Sequence, residues 1–338
     1  MEIDRRHLLY ATLKNQYLIE KAPCRTVISG LLGLQTQFAN NPKYALIVRG
    51  SDYDAAAWER GLVKLWTFRD TLHAVHASEA GLFLSAKGRP ETWENRWGVE
   101  PARMEYWSAF ALEKIRSGVT GRDALKEACS AKGMAPDELA LIFNGWGGLF
   151  KEMNRRGLIA YAPGTEKTFA PLSRVRWVDR DEARKVILKR YFHAFGPATA
   201  EDFATFAGYP AREAKSLIKN AGFPLRSVFC GGTEYLYTGA LPSEGDIPPY
   251  LFLTGFDQMM MGYRDRSRIL DAELLPEVRT LTGIFHPLVL VDGRVAARWR
   301  MDGGKIQIRP LKKLPEKTLR QIAERAEGLF GAEKPENA

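Results

Sequence analysis

The sequence predicts a mainly helical α+β protein of three helical groups, each closing on a β-hairpin, followed by a β-rich C-terminal part. Three observations carry this prediction. Apolar residues recur at helical spacing over the first two-thirds of the chain, each helical run stops at a glycine that opens a strand pair, and beyond residue 250 the pattern turns to alternation. A chain of 338 residues is too long for one small domain and suits several modules.

The elements follow in order. In the first group the helical run Ala56–Arg60 stops at Gly61. Leu62–Phe68 and Thr71–Ala77 then form a strand pair turned at Arg69-Asp70. In the second, Thr120-Gly121-Arg122-Asp123 reads as a helix cap, Gly133 as a stop, and Glu138–Arg156 as a long helix closed by Gly157. That helix contains Gly145, Gly147 and Gly148, each costing roughly 1 kcal/mol against alanine, so a break or a close approach is expected there. Its strands are Leu158–Tyr161 and Thr168–Ala170. In the third group Thr199-Ala200-Glu201-Asp202 is a capping box, the short helix ends at Gly208, and Pro210 opens Ala211–Ala221. Gly222 then leads into Phe223–Phe229 and Glu234–Thr238, turned at Gly231-Gly232. A glycine just past a helix end takes the left-handed conformation that closes it.

Helices followed by a hairpin are the construction of a winged helix, and the short connection before Pro210 fits a helix-turn-helix. The predicted architecture is therefore three tandem winged helix-turn-helix units over residues 1–99, 100–178 and 179–249. A β-hairpin-rich part follows over 250–338, with strands at Tyr250–Leu253, Pro287–Val291 and Val295–Trp299, a hairpin turn at Asp292-Gly293, and a closing helix Pro315–Phe330. The closing glycines are unevenly spaced, which excludes a solenoid.

Composition narrows the function classes. The net charge is +9, a modest bias towards polyanions. Its distribution says more: Arg294, Arg298, Arg300, Lys305, Arg309, Lys312 and Lys313 face a single acid, Asp302, and Arg264, Arg266 and Arg268 form a second cluster. Each cluster also reads as a solvated hairpin edge, where charge discourages aggregation. Three scattered cysteines, Cys24, Cys129 and Cys230, fit a reducing cytosol and give no zinc spacing. The charged N-terminus lacks the apolar run of a signal peptide, and no uncharged stretch approaches a membrane span. A cytoplasmic, nucleoid-associated monomer with no cofactor, no metal and no membrane is expected.

The segment Ser29-Gly30-Leu31-Leu32-Gly33-Leu34-Gln35-Thr36-Gln37-Phe38 departs from a plain DNA-binding module. It reads as an apolar helix ending near Gln35 in two amides two residues apart. On a helix such positions point about 200° apart, whereas in extended backbone they share a face. Asn40-Asn41-Pro42 follows, and proline drives its predecessor out of helical geometry. By spacing alone the two glutamines are polar residues at a helix exit.

Resemblance adds to this. Gly33-Leu34-Gln35-Thr36-Gln37, Leu65-Trp66-Thr67-Phe68-Arg69-Asp70-Thr71-Leu72-His73, the phrase Ala194–Phe203, the block Phe256–Arg266 and the hairpin Gly283–Val295 stand in order along the chain. Together they resemble the landmarks of the tandem winged-helix alkylpurine DNA glycosylases (AlkZ/YcaQ-like), from about residue 5 to 330. The resemblance implies a curved basic surface that binds double-stranded DNA carrying alkylated purines, with a Gln-x-Gln motif at the reaction site. The Gln-x-Gln form places the chain nearer the AlkZ branch, some of whose members unhook interstrand crosslinks. It implies Gln35 and Gln37 as catalytic residues and Thr71 and His73 as residues that line the site or hold a phosphate. Arg69, Arg264, Arg266, His286, Arg294 and Arg298 become candidate DNA contacts. The chain departs from the family pattern at Gln258, where many relatives carry an acid, and at His286, where others often carry arginine.

Neutral amides suit this chemistry. Alkylation at N7 or N3 puts positive charge on the purine, so the base leaves neutral and no strong general acid or base is needed. What remains is to position a water at the anomeric carbon and stabilise an oxocarbenium-like transition state, which amide oxygens can do. The alternative is a non-catalytic winged-helix DNA binder, a regulator or damage-recognition protein; regulators usually dimerise on paired half-sites, and the chain has no heptad seam for that. A small-molecule enzyme lacks any phosphate-cradling loop or nucleophile-base pair here. Trp66, Trp146 and Trp299 read as core residues rather than base-stacking platforms.

Overall fold

The computed structural model of the protein describes residues 1–94, 98–145, 148–164 and 167–331. Two compact units emerge. One is formed by Met1–Trp58 together with the chain from Lys185 onward, the other by Glu59–Arg184. Trp146, Gly147 and the polar tail Glu333–Ala338, all singled out above, lie outside the described residues.

The contiguous unit is a sheet packed on helices. Strands Leu62–Trp66 and Leu72–His76 pair antiparallel with Leu65 opposite His73, about a turn in which Arg69 and Asp70 both take positive φ. Ile159–Tyr161 and Phe169–Pro171 form a second antiparallel pair. The two predicted hairpins are not separate: Lys64 pairs with Tyr161, which joins them edge to edge. Burial of the inner faces against helices Pro101–Arg116, Arg122–Ala131 and Gly148–Arg155 makes one core around Trp66, Trp107, Phe150, Ile159 and Phe169. Phe169 stacks between Phe150 and Tyr161, at 4.3 and 4.4 Å between ring centroids. Trp66 is thus a core residue, as its sequence context suggests.

The break expected within Glu138–Arg156 is present: the run forms two helices, Pro136–Ile142 and Gly148–Arg155. A Cβ at Gly148 would lie 2.0 Å from the Ile142 carbonyl, a close approach that requires glycine there. The second-group cap expected at Thr120 is corrected: Gly121 is the N-cap, with no side-chain hydrogen bond. Backbone pairing takes precedence there, because the Thr120 carbonyl accepts from Phe169 N and Gly121 bridges Thr168.

The other unit holds the C-terminal sheet. Tyr250–Leu253, Leu288–Val291, Arg294–Asp302 and Lys305–Pro310 follow one another in antiparallel order, the central Leu288–Val291 being the apolar run expected of an inner strand. Asp292-Gly293 turns the middle hairpin with both residues at positive φ, as the dipeptide predicts. Lys305–Pro310, reached through Gly303-Gly304, is a strand that the charge cluster disguised in the sequence. Helix Glu316–Phe330 buries Ile322, Ala326 and Phe330, and Phe330 meets Trp299 and Tyr44, so Trp299 is core as well. A separate hairpin, Arg226–Cys230 with Thr233–Tyr237, packs Val228 and Tyr237 on Ile3 and Leu8.

The capping box predicted at Thr199 is complete: Thr199 Oγ1 accepts from Asp202 N at 3.0 Å, and Asp202 Oδ2 accepts from Thr199 N at 2.9 Å. Thr199→Ala should lower stability by about 1 kcal/mol, read as a shift in the denaturant midpoint. No change in that midpoint counts against the cap.

Among the described residues no helix is long and apolar enough to cross a membrane.

Candidate active site

The two glutamines sit just past the helix Cys24–Gly30, which ends five residues before the expected exit at Gln35. Gly33 N bonds back to the Ile28 carbonyl at 2.8 Å, with Leu32 and Gly33 both at positive φ, closing the helix early. Gly30 sets the spot: a Cβ there would lie 2.3 Å from Tyr17 Oη. Leu34–Gln35 is therefore extended. The amides end up in different surroundings. Gln35 is buried, 5% exposed, while Gln37 is exposed to solvent. Beside Gln37, Phe38 is also half exposed and leans on Phe256, 5.8 Å between centroids.

Gln35 lines a small recess, a cavity of about 10 Å³, with Asn41, Arg49, Thr254, Asp257 and Gln258. Its framework is a buried ion pair. Arg49 Nη2 donates to Asp257 Oδ1 at 2.8 Å, and both side chains are 1% exposed. Arg49 Nε donates to the Gln16 carbonyl at 3.0 Å. Asp257 uses its other capacity locally: Oδ1 accepts from Met259 N, and Oδ2 from Thr254 N and, at 3.3 Å, from Thr254 Oγ1. Such saturation is what lets a carboxylate and a guanidinium stay charged in the interior. Gln258 Nε2 donates to the Gly33 carbonyl at 2.7 Å, tying the recess to the turn that precedes Gln35. Gln258, the departure noted in the sequence, therefore has a defined contact. Among the described residues, Asn41 Nδ2, Arg49 Nη1 and Gln258 Oε1 are buried without a protein partner.

Sequence reasoning passed over Asn41, Arg49 and Asp257 as site residues. Arg49 and Asp257 are 208 positions apart, and nothing local links them. The available signal was an arginine ending the apolar run Ala45–Val48, a position that demands a buried partner.

Thr71 and His73 belong to the unit Glu59–Arg184. His73 is fully buried; its Nδ1 lies 2.8 Å from Thr67 Oγ1. Burial, reinforced by the positive charge of Arg69, pushes its pKa down to about 3 against the pull of the Thr71 carbonyl. His73 is thus a neutral imidazole at neutral pH, suited to lining rather than to pairing with phosphate as a cation. Because the folded pKa lies below the unfolded value of 6.5, its contribution to stability is complete above pH 6.5 and declines as pH falls towards 3. His73→Gln should therefore lose less stability than the wild type between pH 7 and pH 5; parallel losses in the two melting profiles would refute this. Neighbouring Asp70, exposed at the turn, bonds to Lys87 and Lys151. Partial burial raises its pKa, but the two lysines outweigh that and hold it at about 2. Thr71 Oγ1 donates to the Phe68 carbonyl, bracing the same turn.

The candidate phosphate contacts divide by what already holds them. Arg266 donates to the Met260 carbonyl and stacks on Phe285, Arg294 binds the Ser267 carbonyl and Asp271, and Arg298 donates to the Glu277 carbonyl. Arg264 is exposed, anchored through its backbone N–H to Asp202. His286 is half buried, and burial beside Arg298 and Arg309 lowers its pKa.

Comparison with known proteins gives the class first: a DNA glycosylase, a hydrolase of N-glycosyl bonds. The family model described as DNA glycosylase AlkZ-like matches residues 28–331, and the chain belongs to that family. An interstrand DNA cross-link repair glycosylase of Streptomyces sahachiroi is 26% identical over 329 residues, covering 88% of each chain. The solved structure of Streptomyces sahachiroi DNA glycosylase AlkZ superposes with a TM-score of 0.80 over 98% of each chain at 23% identity, a likeness of fold.

Proposed function

We propose that this glycosylase hydrolyses the N-glycosidic bond of N7- and N3-alkylated purines in duplex DNA, with interstrand crosslinks among its substrates. The observation that carries the reading is the Gln-x-Gln segment where the chain leaves the short strand Leu34–Gln35, one amide presented to solvent and one set against a polar, charge-framed recess. Gln37 positions the attacking water from the exposed side, and Gln35 adds amide dipole from the inner side. The water oxygen bonds to the anomeric carbon as the glycosidic bond breaks. The bond's electron pair neutralises the alkylpurine cation, and the water proton passes to solvent.

The one carboxylate described in the recess, Asp257, is committed to Arg49, Met259 and Thr254, so the site works on leaving groups that already carry charge. The crosslink part of the proposal draws on the name of the Streptomyces sahachiroi relative. In the proposed architecture the helix-hairpin groups act as tandem winged helices whose curved basic surface grips the duplex, the protein working as a monomer, with exposed Arg264 on a phosphate.

A base-release assay on duplexes carrying 7-methylguanine, 3-methyladenine or a nitrogen-mustard crosslink tests the reading. Abasic sites are expected from the cationic lesions, and none from undamaged DNA. Failure to release any of the three bases eliminates the substrate class proposed.

A further inference from the structure

Buried polar atoms are normally hydrogen-bonded, and an orphan calls for an explanation of its own. In the unit that carries Gln35, three orphans line one recess: Asn41 Nδ2, Arg49 Nη1 and Gln258 Oε1. The three residues are 7%, 0% and 3% exposed, so bulk solvent does not satisfy them. Two are donors and one is an acceptor. The innermost space of the recess is on the scale of a single water, and such a site needs two to four polar partners to hold one. Elsewhere in the lining, both Asp257 oxygens are saturated, and Gln258 Nε2 is committed to Gly33.

We propose that this recess is a binding site for one ordered water, held by Asn41, Arg49 and Gln258, that fixes the orientation of the Gln35 carboxamide. The water accepts from Asn41 Nδ2 and Arg49 Nη1, donates one hydrogen to Gln258 Oε1 and directs the other to the Gln35 amide oxygen. One molecule thereby satisfies all three orphans and ties the Arg49–Asp257 pair to the end of the Leu34–Gln35 strand. Asn41 is a positioning residue on this account: it acts through the water and touches no substrate. Two features keep it in place. Pro42 sits within the first turn of the helix Asn41–Arg49, and Asn41 Oδ1 packs where a Cβ on Gly255 would come within 3.1 Å. The water is structural, distinct from the one that attacks the sugar, since the recess is too small to admit a nucleotide.

The positioning role rests on the reading of Gln35 given above; the water site does not. Two measurements separate them. A crystal structure of the wild-type protein should show one water in the recess within hydrogen-bond distance of the three side chains; a dry recess overturns the proposal. In single-turnover assays with 7-methylguanine DNA, Asn41→Leu, which removes the donor at nearly constant volume, should be slower by roughly tenfold to a hundredfold. Its DNA dissociation constant should match the wild type. Asn41→Ser, whose hydroxyl can donate to the same water, should recover most of the rate, which a purely structural loss would not permit. Should Asn41→Leu fail to fold, Gly255→Ala displaces the same amide and should slow release without weakening DNA binding. A wild-type rate in whichever of these variants folds overturns the positioning role. If the water is seen but Gln35 and Gln37 variants both release base at the wild-type rate, the catalytic assignment falls and the water site stands.

Discussion

Gln37→Ala slows release of 7-methylguanine from duplex DNA by about 10²–10³-fold, the size expected when one preorganised polar group aimed at a developing charge is removed. The exposed position of Gln37 makes this the cleaner of the two glutamine variants, because truncation there leaves no buried orphan and the fold unaltered. DNA affinity stays near the wild-type value, since a neutral amide releases no counterions. Arg264→Ala should show the opposite pattern, with weaker binding and a salt slope reduced by about one but little change in the bound-state rate. Single-turnover kinetics with saturating enzyme, set beside binding titrations at several salt concentrations, distinguish the two. If Gln35→Ala and Gln37→Ala both release base at the wild-type rate, the residues assigned to the chemistry are the wrong ones.

Asp257→Ala lowers the stability of the protein by about 3–5 kcal/mol, because it strands a fully buried guanidinium. The variant removes the partner of Arg49 Nη2, the cap on Met259 N and both contacts of Thr254 in one step. Chemical denaturation reads the loss directly. Pairing the change with Arg49→Met should restore part of it, since an apolar replacement of both members avoids the unpaired charge. A single-variant loss below about 1 kcal/mol would mean that Arg49 finds water or another acceptor, and that the pair does not frame the recess.

The parts of this fold legible in the sequence are those set by neighbours along the chain. The Thr199 capping box, the Asp292-Gly293 turn and the strand pair around Arg69-Asp70 each follow from a few consecutive residues. Even the break within Glu138–Arg156 was signalled by its glycines. What stayed hidden depends on distant pairing. The first two hairpins share one sheet through Lys64 and Tyr161, and no local pattern says so. Likewise the helix before Gln35 ends early because Gly30 abuts Tyr17 and the following turn is held through Gly33 by Gln258, 225 positions away. The Gln-x-Gln phrase was recognisable as a motif. The contrast between its buried and its exposed amide was not, because the strand stops at Gln35 and the chain bends at Gln37, which the period-two pattern of an extended segment does not foretell.

The interleaving of the two units also sets an order of events during synthesis. Residues 59–184 are contiguous and can complete their core as soon as they emerge, whereas the first 58 residues must wait for segments translated after residue 185. Arg49 is consequently made long before Asp257, and the nascent chain carries it in solvent until the last quarter is threaded. The framework around Gln35 is therefore among the last things to form, and a ribosome that stalls before Asp257 leaves Arg49 without its partner beside a contiguous middle unit.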